Sequence, residues 1–248
     1  MNIGIIGAGN IGAELARKLS AAGHSVKLAN SRGPESLKDI VEGTTISAVA
    51  REDVATDADV VILSMPFARN GEAASLVAHA PAGAILVDTS NYYPMRDGRI
   101  DDVESGKPET VWASEQVGRS LIKAWNAILS QTLVEAGVAP GTSGRIAIPI
   151  AGDDLAAKRV VAELVSATGF DTVDAGELVD SWRFQPGSPA YCTELTISEL
   201  EAALSNASKD RSPANRDAIM QAITDGEVPM TRAAMAANNR LMSGPPGS

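Results

Sequence analysis

Gly7-Ala8-Gly9-Asn10-Ile11-Gly12 sets three glycines at the spacing G-x-G-x-x-G, directly after an apolar run and at the head of an amphipathic segment. Each glycine has a separate task in such a turn. Gly7 permits the tight bend, Gly9 lets the backbone approach a pyrophosphate, and Gly12 allows a helix to pack closely on a strand. Asn10 and Ile11 begin the helix whose free N–H groups attract the phosphates. The chemistry implied is dinucleotide binding.

A dinucleotide site that takes NAD usually has an acidic residue roughly 20 residues further on, bonded to the ribose hydroxyls. Here that stretch reads Ala29-Asn30-Ser31-Arg32-Gly33-Pro34, without a carboxylate. Ser31 can donate a hydrogen bond and Arg32 can fork onto phosphate oxygens, so the expectation is NADP(H) rather than NAD(H). Ligands of open α/β sheets lie at the carboxyl ends of the strands. The later strand ends are Ser64-Met65-Pro66-Phe67, Asp88-Thr89-Ser90-Asn91 and Lys123-Ala124-Trp125-Asn126. Met65, Pro66 and Trp125 are candidates to wall a flat ring, or else to fill the core. Asn91 and Asn126 are candidates to orient a carboxamide or an acceptor. Lys123 and Tyr92 are the candidate proton donors, and a structural ion pair is the competing role for Lys123. No Tyr-x-x-x-Lys pair is present, because Tyr92 is followed four residues on by Arg96, Tyr93 by Asp97 and Tyr191 by Leu195. That favours a redox ring over a simple ketone as acceptor.

These residues need a scaffold, and the chain supplies one. Nearly continuous apolar runs at 3–6, 60–63, 84–87, 121–124 and 146–150 suit strands buried on both faces of a mostly parallel sheet. Ile11, Leu15, Leu19 and Ala22 predict a first helix that stops at Gly23, with a second strand over 25–29. A helix is expected over 154–167 and a strand over 171–174. The class is α/β, a doubly wound sheet. After Gly176 the pattern turns helical, notably over 194–204 and 213–223. The expected organisation is a cofactor-binding domain over residues 1–175 and a smaller helical part over 176–248, with a flexible Gly/Pro/Ser tail from about 243.

With 248 residues, 44% of them apolar, the chain can bury a sizeable core. Its 21 basic and 31 acidic residues give a net charge of −10, which opposes nucleic acid and anionic membrane surfaces as partners. One cysteine, Cys192, and two histidines, His24 and His79, leave no disulfide framework and no Cys/His metal site. The histidines read as structural or solvated, and Cys192 as a small buried residue. The expected setting is the reducing cytoplasm, without a signal or spanning segment.

The turn at 3–12, the 29–34 segment, the strand end at 64–67, Lys123 to Asn126, and Ala151-Gly152-Asp153-Asp154 followed by 170–176 together resemble the NADP oxidoreductase family that includes NADPH-dependent reductases of the deazaflavin coenzyme F420. The likeness covers about the first 190 residues. It implies a Rossmann domain that holds the 2′-phosphate on Ser31 and Arg32, the pyrophosphate near Gly9, Asn10 and Ile11, and the nicotinamide near Met65 and Pro66. It further implies a C-terminal part that closes the cleft and makes a homodimer. Trp125 stands where many relatives have phenylalanine, and the chain runs on through Arg183-Phe184-Gln185-Pro186 into a longer helical end. Three functions fit these residues: hydride transfer between NADP(H) and coenzyme F420, a flavin or another conjugated acceptor; reduction of a small imine, ketone or hydroxyacid partner; and non-catalytic, redox-dependent binding of a protein partner.

Overall fold

The computed structural model describes residues 1–244. Its apolar runs become strands β1 (Asn2–Ile6), β2 (Ser25–Ala29), β3 (Ser47–Ala48), β4 (Val60–Leu63), β5 (Ile85–Asp88) and β6 (Ile122–Lys123). They form one parallel sheet in the order β3-β2-β1-β4-β5-β6. The order reverses between β1 and β4, so the crevice for a ligand opens beyond their carboxyl ends. β3, at the sheet edge, has only two residues and no apolar run to announce it.

Contrary to expectation, the run at 146–150 does not join the main sheet. It forms β7 (Ala147–Ile150), which pairs with β8 (Asp171–Asp174) as a separate two-stranded parallel sheet. A single antiparallel bridge, Lys123 to Ala151, joins the two sheets. The chain reverses after β6, so β7 cannot extend the parallel ladder. It stays buried on both faces because one packs on the main core and the other on the C-terminal part.

Helix α1 (Asn10–Ala21) buries Gly12, Ala13, Leu15, Ala16 and Leu19 against this core and ends before Gly23, whose φ of +90° only glycine adopts without strain. The middle helices are α2 (Lys38–Val41), α3 (Asn70–Val77), α4 (Pro94–Asp97), α5 (Asp101–Glu104), α6 (Glu109–Val117) and α7 (Ser130–Glu135). The helix expected over 154–167 is α8 (Leu155–Ala167), capped by Asp154, which accepts from the N–H groups of Ala156 and Ala157 at 2.8 and 3.0 Å. A 3-10 segment, Leu178–Phe184, leads to α9 (Ile197–Ser205), α10 (Ser212–Thr224) and α11 (Arg232–Ser243). The stretch expected to be helical from 194 starts only at 197, since Glu194 holds a left-handed φ of +53°. The expected tail from 243 begins inside α11 at Ser243, and its residues 245–248 lie outside the described residues. Among the described residues, no helix is long and apolar enough to cross a membrane.

Glu109 joins the sheet to the C-terminal helices. It is 2% exposed, its N–H donates to Gln185 Oε1 at 2.9 Å, and its carboxyl accepts from the Tyr92 N–H at 3.1 Å. Burial pushes its pKa up to about 7, against the opposing pull of Lys123. The folded protein therefore holds a proton on Glu109 that the unfolded chain has released above its ordinary value near 4.5. That stabilisation is present in acid and fades as the pH rises through about 7, by roughly 3 kcal/mol in all. Urea unfolding of wild type and Glu109→Gln from pH 5 to pH 8 checks it: the wild type should lose stability across this range relative to the variant, and parallel profiles would assign the pH dependence elsewhere.

Candidate functional site

The turn from β1 into α1 is held by the sheet itself. Gly7 has φ +113°, and its N–H donates to the Ala29 carbonyl at 2.8 Å. A Cβ on Gly7 would lie 2.0 Å from the Ser64 carbonyl oxygen, and one on Gly12 would lie 2.0 Å from the Gly7 carbonyl oxygen. Both glycines are thus required by packing. Gly9 differs, because nothing lies within 4 Å of where its Cβ would be. It is the N-cap of α1, with no capping side chain, and the first turn carries no acidic residue. The free N–H groups there face an open, carboxylate-free mouth suited to a pyrophosphate. Asn10 is exposed, and Ile11 is half-buried against the core.

A cleft of about 280 Å³ opens over this turn. Its walls are Ile6 to Gly9, Asn30 to Arg32, Ser64 to Pro66, Arg51 and Arg69. Asn30 shapes the loop rather than projecting from it: its Oδ1 accepts from the Arg32 N–H at 2.9 Å and its Nδ2 donates to Ser36 Oγ at 2.9 Å. Ser31 and Arg32 are left exposed at the rim, and among the described residues neither side chain has a hydrogen-bond partner. Arg51 and Arg69, absent from the sequence reading, stand across the same cleft. Glu72 ties them together, bonded to Arg69 Nε and Nη2 at 2.7 Å each and to Arg51 Nη2 at 3.3 Å. The hydrogen bond from Arg69 holds the Glu72 carboxyl below the usual carboxylate range. Arg69 follows the 64–67 strand end by two residues and was open to discovery there, whereas Arg51 reaches the cleft only through the folding of edge strand β3.

At the carboxyl ends of β5 and β6, Asn91 and Asn126 meet. Asn91 Nδ2 donates to the Asn126 carbonyl at 2.9 Å, and Asn126 Nδ2 donates to Asn91 Oδ1 at 3.1 Å and to the Phe184 carbonyl at 3.0 Å. Asn126 is 2% exposed, and its Oδ1 has no partner among the described residues. Neither asparagine lines the cleft over the glycine turn. The residues present therefore fit a dinucleotide at the phosphate end, where the glycine cradle and the bare N-terminus of α1 line the cleft.

Both candidate proton donors and the candidate ring wall are sealed. Lys123 is fully buried, its Nζ bonded to Asp88 Oδ2 at 2.8 Å and also to the Ser90 carbonyl. Asp88 in turn accepts from Ser90 N, Ser90 Oγ and Thr110 Oγ1. This is the structural ion pair that competed for Lys123, and with no exposed surface the amine is out of a substrate's reach. Tyr92 is likewise buried: its hydroxyl accepts from the Ile100 N–H at 3.0 Å and its ring packs on Phe67 at 5.5 Å. Trp125, at φ +55°, turns its indole into the core and donates to Thr168 Oγ1 at 3.3 Å, so it walls no ring. The sequence pattern placed all three at strand ends correctly, but side-chain direction depends on contacts from α6, α8 and the C-terminal part.

The family model described as NADP oxidoreductase coenzyme F420-dependent matches residues 2–92. YjhV of Escherichia coli (strain K12), described as a "putative protein", is 36% identical over 106 residues, which cover 42% of this chain and 77% of that one. Among solved structures, the hypothetical protein SMa0349 from Sinorhizobium meliloti is 34% identical, with a TM-score of 0.64 over 75% of this chain and 89% of that one. A "putative f420 dependent nadp-reductase" from Arthrobacter sp. FB24 is 25% identical, with a TM-score of 0.61 over 73% of this chain and 87% of that one.

The buried pair predicts a stability effect. Lys123→Met strands the Asp88 charge and should cost about 3–5 kcal/mol in urea unfolding. The double variant with Asp88→Asn should recover part of that loss, and a single variant as stable as wild type would show that the pair does not bear on the fold.

Proposed function

The chain belongs to the coenzyme F420-dependent NADP oxidoreductase family, and from that we propose that it passes hydride between NADP(H) and a conjugated redox acceptor, with coenzyme F420 or a flavin as the acceptor class. One observation carries the donor half of this reading: the rim of the cleft presents Ser31, Arg32, Arg51 and Arg69 and no free carboxylate, since Glu72 is bonded to both Arg51 and Arg69. A 2′-phosphate is attracted by such a rim, and a bare ribose gains little from it.

Gly9, Asn10 and Ile11 would hold the pyrophosphate, Ser31 and Arg32 the 2′-phosphate, and Met65 and Pro66 would pack beside the nicotinamide. Gly7 and Gly12 keep the turn that makes this possible, and Asn30 fixes the loop. Asn91 and Asn126, bonded to each other at the ends of β5 and β6, would orient the carboxamide or the acceptor. When bound, the nicotinamide supplies or accepts the hydride, and the protein's part is to position the two rings and exclude water. The acceptor assignment is supported by the family. The single cysteine supports a cytoplasmic setting. The family resemblance supports a homodimer in which residues 176–248 close over a cofactor domain of residues 1–175.

Titration of the protein with NADPH and NADH by tryptophan fluorescence, repeated on Arg32→Ala, tests the donor site. NADPH should bind at least tenfold more tightly than NADH, and the variant should lose about 1.5–3 kcal/mol of NADPH affinity while NADH changes little. Equal affinity for the two nucleotides in the wild type would remove the 2′-phosphate assignment.

A further inference from the structure

Next to the two sealed donors lies a second pair of hydroxyls. Tyr93 Oη and Tyr191 Oη are 2.8 Å apart. Unlike Tyr92, both residues keep part of their surface open. Backbone contacts fix where they stand. Tyr93 is two residues beyond Asn91 at the end of β5, and its N–H donates to Asp97 Oδ2 at 2.9 Å. Asp97 Oδ1 accepts from the Ala68 N–H at 3.4 Å, which ties Tyr93 to the turn after Pro66 that walls the cleft. On the other side, the Cys192 N–H donates to the Ala127 carbonyl at 3.1 Å, which sets Tyr191 beside the residue after Asn126. The couple therefore sits at the carboxyl ends of β4, β5 and β6, adjoining the Asn91–Asn126 pair.

We propose that the Tyr93–Tyr191 couple is the proton-delivering contact for the acceptor, whose class is a conjugated ring or chain bearing a C=N or C=O group. This rests on the oxidoreductase reading above. Two phenols share one hydrogen bond but own two protons, and since the Tyr191 hydroxyl also faces the Cys192 thiol, the O–H left to donate to a third atom is that of Tyr93. Desolvation raises the pKa of both phenols, which keeps both protons in place at neutral pH. When an electrophilic ring atom of the acceptor, carbon in a deazaflavin and nitrogen in a flavin, gains hydride from NADPH, the π pair of the conjugated C=N or C=O moves onto its far heteroatom. That heteroatom takes the free phenol proton, forming an N–H or O–H bond. The phenolate left behind takes its partner's proton, and water restores the last one. Arg96, whose guanidinium lies 5.3 Å from the Tyr93 ring centroid, favours the transient phenolate. One tyrosine comes from the cofactor-binding sheet and the other from the C-terminal part, so the donor is complete only when the two are docked.

The test uses the full chain with Tyr93→Phe, Tyr191→Phe and, as a control, Tyr92→Phe. All should bind NADPH within about twofold of wild type, since none touches the glycine turn or the arginine rim. With NADP⁺ bound, the affinity for FMN or coenzyme F420, read by fluorescence quenching, should fall at least fivefold in the Tyr93 and Tyr191 variants and stay unchanged in the control. In NADPH oxidation with the same acceptors, kcat should fall by about 100-fold in those two variants, with a larger solvent deuterium effect. Acceptor affinity and kcat close to wild type in either variant would overturn the proposal. So would a control that behaves like the other two, or a wild type that binds NADPH and neither acceptor. A wild type that fails to bind NADPH would instead overturn the reading on which the proposal rests.

Discussion

The ammonium of Lys123 is the point through which the carboxyl end of the sheet is organised. Its side chain reaches Asp88 and the Ser90 carbonyl on β5, and Asp88 gathers Thr110 from α6. Its backbone exchanges two hydrogen bonds with Ala151, at 2.8 and 3.1 Å, and so carries the second sheet. A lysine with no exposed surface is costly unless paired and hydrogen-bonded, and here the side chain is satisfied by the end of β5 while the backbone bonds to Ala151. The requirement that this charge be satisfied fixes the relative placement of β5, β6, α6 and β7. The loops at 90–93 and 124–127, which hold the candidate acceptor contacts, leave directly from those strands.

The two ends of the crevice are built by different physics. At the phosphate end the motif residues are consecutive: a glycine turn seated on its neighbouring strands, and a loop whose Asn30 bonds to residues two and six positions away. At the acceptor end almost every contact joins residues far apart in sequence, as with Asn91 and Asn126, Asn126 and Phe184, and Tyr93 and Tyr191. Loops with many local bonds hold their shape with little help from the rest of the fold. An end made from long-range contacts depends on docking of the C-terminal segment, and its geometry can respond to that docking.

This division also decides what was legible before folding. The strands of the main sheet, except the two-residue β3, and helices α1 and α8 declared themselves because each needs only apolar periodicity and a terminating glycine or cap. The glycine turn and the Ser31–Arg32 rim were readable because their chemistry lies within a few consecutive residues. The pairing of β7 with β8 was not readable, since a four-residue apolar run carries no information about its neighbours. Arg51 lay in a stretch without any motif, and only the edge position of β3 brings it to the cleft with Arg69.

The proton donor shows the limit most sharply. Tyr92 and Tyr93 are identical in type and adjacent in sequence, so no compositional argument separates them. The chain is extended at Tyr93, with φ −132° and ψ +110°, and in extended backbone successive side chains leave on opposite sides. One tyrosine must then enter the cluster of Phe67 and Trp112 while the other faces away from it, toward the segment that brings Tyr191. The hydrophobic cluster takes the ring whose hydroxyl finds a backbone partner within reach, the Ile100 N–H. The remaining tyrosine is left with a second phenol as its partner, and the pair owns one proton more than its shared hydrogen bond consumes.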